Sequence, residues 1–119
     1  MNREFISLDI FNKLWEELDL SDDDLKELQE YLSINPDSGN IIKNTGGVRK
    51  LRWALKTKGK SGGIRVLYVD FLFYEKIYLL SVYPKSKKEN ISEKEKQVIK
   101  KLVDQLKDEL RRKSDEKKI

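Results

Sequence analysis

The fold of this chain is decided by residues 45–68, TGGVRKLRWALKTKGKSGGIRVLY, because hydrophobicity alternates along them. Leu51, Trp53 and Leu55 are separated by charged or small residues, which is the period-two pattern of a half-buried strand. The glycine-rich residues 56–63 then interrupt the pattern and favour a hairpin turn. The segment therefore predicts two consecutive antiparallel strands.

The residues that follow extend this pair into a three-strand meander. Residues 64–73 and 76–83 are rich in β-branched and aromatic side chains, and a turn is expected near residues 74–75. Pro84 should end the last strand. A short first strand is also expected at residues 5–8.

Helical patterns flank the predicted sheet. Apolar residues recur every three or four positions in residues 10–18 and 25–32, and Ser21 with Asp24 forms a capping-box signature. The second helix should end before Pro36, which opens a turn.

A third helix is predicted near the C-terminus. Ser92 and Glu95 form a second capping-box signature, and an apolar stripe covers residues 98–110. Residues 112–119 lose this periodicity and are expected to fray. Together the patterns predict one α+β domain over residues 1–119.

The composition restricts the possible chemistry. The chain has no Cys and no His, so a thiol nucleophile, a thiolate zinc site and the commonest general acid–base are all excluded. No stretch of about 18 apolar residues predicts a membrane span, and residues 1–11 lack the apolar core of a signal peptide. We therefore expect a cytoplasmic protein without disulfides and without contact to a membrane.

Charge is strongly segregated along the chain. Residues 1–37 carry 3 basic and 11 acidic side chains, whereas residues 38–88 carry 12 basic and 2 acidic ones. This asymmetry indicates a polyanionic partner for the middle of the chain. A basic face without any partner is the alternative that charge alone leaves open.

Strand alternation groups several of the basic residues. Lys50 and Arg52 should share the face opposite the apolar residues, about 7 Å apart by the rise of a strand. Arg65 begins the next strand across the hairpin. Tyr83 lies near the end of the last strand, and Lys85 follows two residues later. These five side chains should therefore lie over one patch of the sheet, and they are the candidate catalytic residues.

Such a patch has the functional groups for RNA cleavage by the 2′-hydroxyl. Arginine suits the charge that develops on the phosphorane, because it is planar, bidentate and permanently charged. A lysine can accept the hydroxyl proton only if its pKa, about 10.4 in water, is lowered, as neighbouring cations tend to do. Residues 38–69 contain no carboxylate that could hold Mg²⁺, so a metal-independent site with no cofactor is expected.

Further basic residues surround the patch and are candidate contacts to RNA or to a ribosome. For the lysines of the hairpin, a purely solvated role is equally compatible with the sequence. The candidates are Arg49, Lys56, Lys58, Lys60, Lys87 and Lys88.

Two long segments carry a resemblance to a known family. They are LQEYLSINPDSGNIIKNTGGVRKLRWALKTKGKSGGIRVLY, residues 28–68, and YLLSVYPKSKKENISEKEKQ, residues 78–97. Their NP-x-x-G, TGG-x-RK-x-RW and GG-x-RV-x-Y elements resemble the RelE superfamily of toxins from type II toxin–antitoxin systems, and its HigB-like (host-inhibition) branch most closely. The resemblance covers most of residues 5–110.

The resemblance implies a RelE-like fold, with a small twisted antiparallel sheet, two N-terminal helices and a C-terminal helix. It implies a ribosome-dependent endoribonuclease that cuts mRNA in the decoding site and inhibits translation. The implied partners are the ribosome, the mRNA and a cognate antitoxin that commonly carries a helix-turn-helix domain. Operator DNA would be bound only through that antitoxin.

The resemblance also assigns roles to particular residues. Lys50 and Arg52 match the paired cations of the family's second strand, and Arg65 matches the arginine that contacts the scissile phosphate. Lys85 lies where many members have an arginine after the last strand. Several relatives carry a catalytic tyrosine at a place that corresponds here to about Ile91.

Some alternatives stay open at the level of sequence. Tyr83 could replace the missing tyrosine from its strand, so Lys50 and Tyr83 are rival candidates for the general base. The related ParE-type toxins share the sheet but inhibit DNA gyrase without cutting RNA. A third possibility is a general RNA-binding protein that uses Trp53 and Tyr68 as stacking platforms, although their spacing is more typical of a core.

Overall fold

The computed structural model of the chain describes residues 3–55, 63–87 and 90–117. Its elements follow the order β1 (Glu4–Ser7), α1 (Asp9–Glu17), α2 (Asp22–Ile34), β2 (Asn40–Ile41), β3 (Arg49–Trp53), β4 (Ile64–Phe71), a 3₁₀ turn (Leu72–Tyr74), β5 (Lys76–Pro84) and α3 (Glu93–Glu116). The predicted α+β class and the predicted meander, which is β3, β4 and β5, are confirmed. In the described part of the chain, no helix is both long enough and apolar enough to cross a membrane.

The sheet has the strand order β1-β5-β4-β3-β2 and is mixed. Strands β2 to β5 pair antiparallel, but β1 pairs parallel with β5, from Glu4 opposite Lys76 to Ser7 opposite Leu79. The expectation of a purely antiparallel sheet is therefore wrong at β1. After β1 the chain passes through α1 and α2 and enters the sheet again at the opposite edge, as β2. Strand β5 finally lies beside β1 and runs parallel to it.

Both capping boxes are confirmed at the helix starts. The Ser21 side chain accepts a hydrogen bond from the Asp24 N–H at 3.1 Å, and the Asp24 carboxylate accepts from the Ser21 N–H at 2.9 Å. Ser92 and Glu95 make the same reciprocal pair at 3.1 and 3.0 Å. These bonds satisfy N–H groups that have no partner within a first helical turn, and they set where α2 and α3 begin.

Helix α3 is longer than its periodicity predicts. It runs to Glu116, beyond the apolar stripe that ends at residue 110. The expected fraying of residues 112–119 stays a prediction. Leu110 is buried against the sheet, and Arg111 pairs with Asp108 at 2.8 Å. The last turns are rich in residues with high helix propensity, which sustain the helix without an apolar face.

The sheet is covered on both faces. Helices α1 and α2 pack against one face, where the core contains Phe11, Trp15, Leu28, Leu32, Leu51, Val66, Tyr68 and Leu79. Helix α3 packs against the other face, where the core contains Val48, Leu67, Val69, Leu80, Tyr83, Ile91, Val103, Leu106 and Leu110. Alternate residues of β4 therefore enter different cores, as the period of a strand requires.

The turn after α2 is tied to the sheet by one tyrosine. The Tyr68 hydroxyl donates to the Pro36 carbonyl at 3.0 Å and also contacts the Ser38 carbonyl. Gly39 follows with φ +82°, and a Cβ added there would lie 2.6 Å from the carbonyl oxygen of Lys50. The glycine of the NP-x-x-G element is thus required where β2 passes close to β3.

The TGG element closes the loop between β2 and β3. Thr45 is fully buried, and its hydroxyl donates to the Ile42 carbonyl at 2.7 Å and accepts from the Val48 N–H at 3.2 Å. Gly46 has φ +81°, and a Cβ there would meet Val103 of α3 at 3.0 Å. Both residues are therefore explained by loop geometry and packing.

Candidate functional site

The strand register lines up three of the predicted site residues. Arg52 of β3 lies directly opposite Arg65 of β4, and Arg65 lies directly opposite Tyr83 of β5. Residues directly opposite each other in adjacent strands project from the same face of a sheet. We call this line of Arg52, Arg65 and Tyr83 the cation row, after its two arginines. It crosses three strands next to the hairpin between β3 and β4.

Lys50 extends the cation row by one step along β3. It precedes Arg52 by two residues and therefore shares its face, the one on which α3 packs. Lys50 is half-buried and lies opposite Leu67, which is buried in the core beneath α3. Arg52 is exposed. The sheet thus brings Lys50, Arg52 and Arg65 together as alternation predicts.

Arg65 has an unusual environment for an arginine. Its side chain is half-buried, and its Nε atom is buried without a hydrogen-bond partner among the described residues. None of the carboxylates in residues 3–55, 63–87 and 90–117 forms an ion pair with it. A buried donor left unsatisfied raises the free energy of the folded state, and an anion at this place would relieve that cost.

Tyr83 lies in the cation row, but its side chain is buried. It is 7% exposed and packs in the core beneath α3 together with Ile91, which is 8% exposed. Ile91 occupies the place where relatives are expected to carry a tyrosine, and here it fills the core instead. Between α3 and β5, Tyr83 lines an apolar groove of about 420 Å³ whose rim includes Val98. The phenol is therefore much less accessible to a substrate than Lys50 or Arg52.

Lys85 and Lys87 follow β5 in an exposed turn. The Lys85 N–H donates to the Gly63 carbonyl at 3.2 Å, which keeps the chain beside the start of β4, two residues before Arg65. The Lys87 N–H donates to the Pro84 carbonyl at 3.1 Å. The backbone thus holds both lysines near the end of the cation row.

Arg49 is not brought to this patch. It lies opposite Tyr68 on the face covered by α1 and α2, and its guanidinium donates to the Gly39 carbonyl at 3.0 Å. Because adjacent residues of a strand project to opposite faces, Arg49 cannot share the face of Lys50. Arg49 therefore holds the turn after α2, and its role as an RNA or ribosome contact stays a prediction. The remaining predicted contacts lie outside the described residues: Lys56, Lys58, Lys60 and Lys88.

Asp70, the carboxylate of β4, lies at the opposite end of that strand from Arg65. Arg3 donates to both carboxylate oxygens of Asp70, at 2.8 and 3.1 Å, and the Arg3 side chain is 2% exposed. The hydrogen bond to Asp70 raises the pKa of Arg3 above its usual range. This pair keeps negative charge away from the cation row and ties the N-terminal residues to the sheet.

One neighbouring residue was missed by the sequence reasoning. Asn40 lies directly opposite Lys50 in the short strand β2, so its side chain projects from the same face. A two-residue strand has no periodicity from which it could be predicted. The only signal was the turn chemistry of residues 35–39, which brings the chain back beside β3.

The fold and the site define a class of protein. It is a small α+β domain with a mixed sheet that carries a row of cations on the face covered by α3. A solved structure with a similar fold is that of the E. coli toxin RelE, a double arginine-to-alanine mutant in the free state. The TM-score is 0.53, the identity is 16%, and the match covers 75% of this chain and 90% of that chain. At this identity the likeness shows the fold alone.

The sequence defines the family. The family model described as the RelE toxin of the RelE/RelB toxin–antitoxin system matches residues 7–117. The chain therefore belongs to the RelE toxin family and is the toxin component of a toxin–antitoxin system, with a cognate antitoxin as its partner. Placement in the HigB-like branch stays a prediction.

Proposed function

We propose that this toxin is a metal-independent endoribonuclease that cuts mRNA in the decoding site of the ribosome and so halts translation in the cytoplasm. The observation that carries the proposal is the position of Arg65, flanked by Arg52, with a buried Nε that has no hydrogen-bond partner in the described residues. An arginine in this state is prepared to bind a phosphate through charge-assisted hydrogen bonds.

The proposed reaction is attack by the 2′-hydroxyl on the adjacent phosphorus. The O2′–P bond forms and the P–O5′ bond breaks, which leaves a 2′,3′-cyclic phosphate and a 5′-hydroxyl. Arg65 and Arg52 would bind the non-bridging oxygens and stabilise the charge of the phosphorane. Positioning and charge stabilisation would supply most of the rate, because the chain has no imidazole.

Accessibility separates the two candidates for the general base. Tyr83 is 7% exposed and surrounded by apolar side chains, whereas Lys50 is half-buried and borders a polar cleft. The geometry therefore favours Lys50 as the group that accepts the 2′-hydroxyl proton, since a base must reach the proton it removes. Lys85, exposed at the end of the row, is our candidate for protonating the departing 5′-oxygen. Tyr83 would then pack beside Arg65 from the adjacent strand.

The test is the substitution Arg65→Ala in cells and in a translation reaction. Expression of the wild type should arrest growth, and the variant should relieve the arrest while keeping its fold, because Arg65 makes no ion pair within the described residues. A fully toxic and correctly folded Arg65→Ala variant would contradict the proposed site.

The second candidate function is inhibition of DNA gyrase by a non-catalytic toxin. The convergence of Lys50, Arg52 and Arg65 on one face argues against it, because gyrase inhibition needs no phosphate-cleaving cluster. Supercoiling inhibition by the purified protein, without any cut in mRNA, would favour this function instead. The cognate antitoxin is proposed to carry a helix-turn-helix domain and to bring the complex to operator DNA.

A further inference from the structure

The polar cleft that Lys50 borders has a volume of about 300 Å³ and adjoins the cation row. Three lysines and two asparagines provide its polar lining: Lys43, Lys50, Lys96, Asn40 and Asn90. Among the residues that the structure describes, no carboxylate lines it. Neither the sequence motifs nor the proposed chemistry uses Lys43 or Lys96, which lie far apart in the sequence.

The fold brings these residues together from three separate elements. Asn40 and Lys50 are cross-strand partners in β2 and β3, and Lys43 follows β2. On the other side, buried Ile91 fixes the segment before α3, and Lys96 lies in the first turns of that helix. The cleft is thus a built feature of the junction between the sheet edge and the start of α3.

The contact between Lys96 and Glu93 can be displaced by a stronger anion. Lys96 pairs with Glu93 at 3.1 Å, but the Glu93 side chain is 77% exposed. The Lys96 side chain is 22% exposed, but a pair with one partner so open to solvent contributes little to stability, because water screens it and two long side chains must be held in place. A phosphate could therefore take over the Lys96 ammonium at little cost.

Lys50 connects the cleft to the proposed site of cleavage. It lines the cleft and lies two residues from Arg52 on the same face of β3. We propose that the cleft binds the phosphate next to the scissile one on the same single-stranded RNA. Lys43 and Lys96 would hold this phosphate, and the amides of Asn40 and Asn90 would donate to its ribose or phosphate oxygens. This inference rests on the proposed function and deepens it.

An acidic segment of the antitoxin is the other polyanion that such a cleft could accept. The shared residue Lys50 favours RNA, because one strand can occupy the cation row and the cleft at the same time. The asparagine amides also favour RNA, since they can donate to a 2′-hydroxyl that a peptide does not have. Binding of the antitoxin is therefore measured as a separate arm of the test.

The test compares two double variants of the full-length toxin with equal loss of charge. Lys43→Ala/Lys96→Ala removes the cleft lysines, and Lys101→Ala/Lys107→Ala removes exposed lysines of α3 that line neither the cleft nor the row. Binding is measured by fluorescence anisotropy with a single-stranded RNA that carries 2′-O-methyl groups to prevent cleavage. Thermal unfolding checks that each variant is folded.

We expect the cleft variant to bind RNA about tenfold more weakly than the wild type. Its slope of log affinity against log salt should be smaller by about 0.7, the value for one lost phosphate contact on a single strand. Replacing single phosphates by neutral methylphosphonates should reveal one linkage that matters to the wild type but not to the cleft variant. Equal effects of the cleft and control variants would overturn the inference, as would a cleft variant that loses antitoxin binding and keeps RNA binding.

A cleavage assay keeps this inference separate from the proposed function. On programmed ribosomes, the cleft variant should need about tenfold more toxin for half-maximal cutting while its saturating rate stays within about twofold. Arg65→Ala should instead lose the saturating rate. If the wild type does not cut mRNA at all, the proposed function fails, and the binding comparison still decides whether the cleft takes a phosphate.

Discussion

Replacing Arg65 by methionine should make the protein more stable while abolishing its activity. The Nε of Arg65 is buried without a hydrogen-bond partner among the described residues, which costs about 1–3 kcal/mol. Arg52 lies directly opposite, and like charges in that position cost roughly a further 0.2–1 kcal/mol. Methionine keeps an unbranched stem of similar shape and removes both costs. After allowing for imperfect repacking, we expect Arg65→Met to raise the free energy of unfolding by about 1–2 kcal/mol.

Urea denaturation followed by circular dichroism measures this change, with an unchanged slope as the sign that only stability has moved. Arg52→Met is the matched control: it relieves the same repulsion but frees no buried donor, so it should raise the free energy of unfolding by only about 0.2–1 kcal/mol. Phosphate added to the buffer should stabilise the wild type more than Arg65→Met, because only the wild type retains the anion site. A loss of 1 kcal/mol or more in Arg65→Met would refute the reasoning, since the guanidinium would then be a stabilising group.

Three further predictions concern the scaffold. Gly39→Ala should lower the free energy of unfolding by about 2 kcal/mol or more, as urea denaturation would measure. The new Cβ would lie 2.6 Å from the Lys50 carbonyl oxygen, and the backbone at this position is left-handed. Tyr68→Phe should cost about 1–2 kcal/mol at neutral pH through lost hydrogen bonds. Burial raises the pKa of Tyr68 to about 12, against about 10 in an unfolded chain. The stability that the neutral phenol contributes is therefore fully present below about pH 10, and about 3 kcal/mol of it is lost as the pH rises through 12. Denaturation between pH 9 and 12 should show this fall in the wild type and a smaller one in Tyr68→Phe. Arg3→Ala should cost about 3 kcal/mol by leaving the Asp70 carboxylate, 17% exposed, without that guanidinium, whereas a change within 0.5 kcal/mol would contradict the importance of the pair.

Local signals predicted most of the elements correctly. Ser21 and Ser92 begin helices as their capping boxes require, and the alternation around Leu51 gives the correct faces of β3. These features depend on residues a few positions apart, so a single sequence contains them. The face of Lys50 and Arg52 followed from the same alternation, and the register then added Arg65 and Tyr83 to one row.

Features that depend on distant residues could not be predicted in this way. The parallel pairing of β1 with β5 and the two-residue strand β2 are set by packing across the whole domain. Tyr83 is buried in the core beneath α3, which Ile91 also enters from a position before that helix with no local signature. Arg49 lies in the basic segment of the sequence, but side chains alternate along β3, so Arg49 and Lys50 project from opposite faces of the sheet.

The central claim is that cations converging on Arg65 cut mRNA in the ribosome. Primer extension on mRNA from a translation reaction tests it most directly, with wild type and Arg65→Ala compared in the presence and absence of ribosomes. We expect codon-phased ends for the wild type with ribosomes, far fewer without them, and none for folded Arg65→Ala. The same ends from Arg65→Ala, or arrested translation without any cut by the wild type, would contradict it.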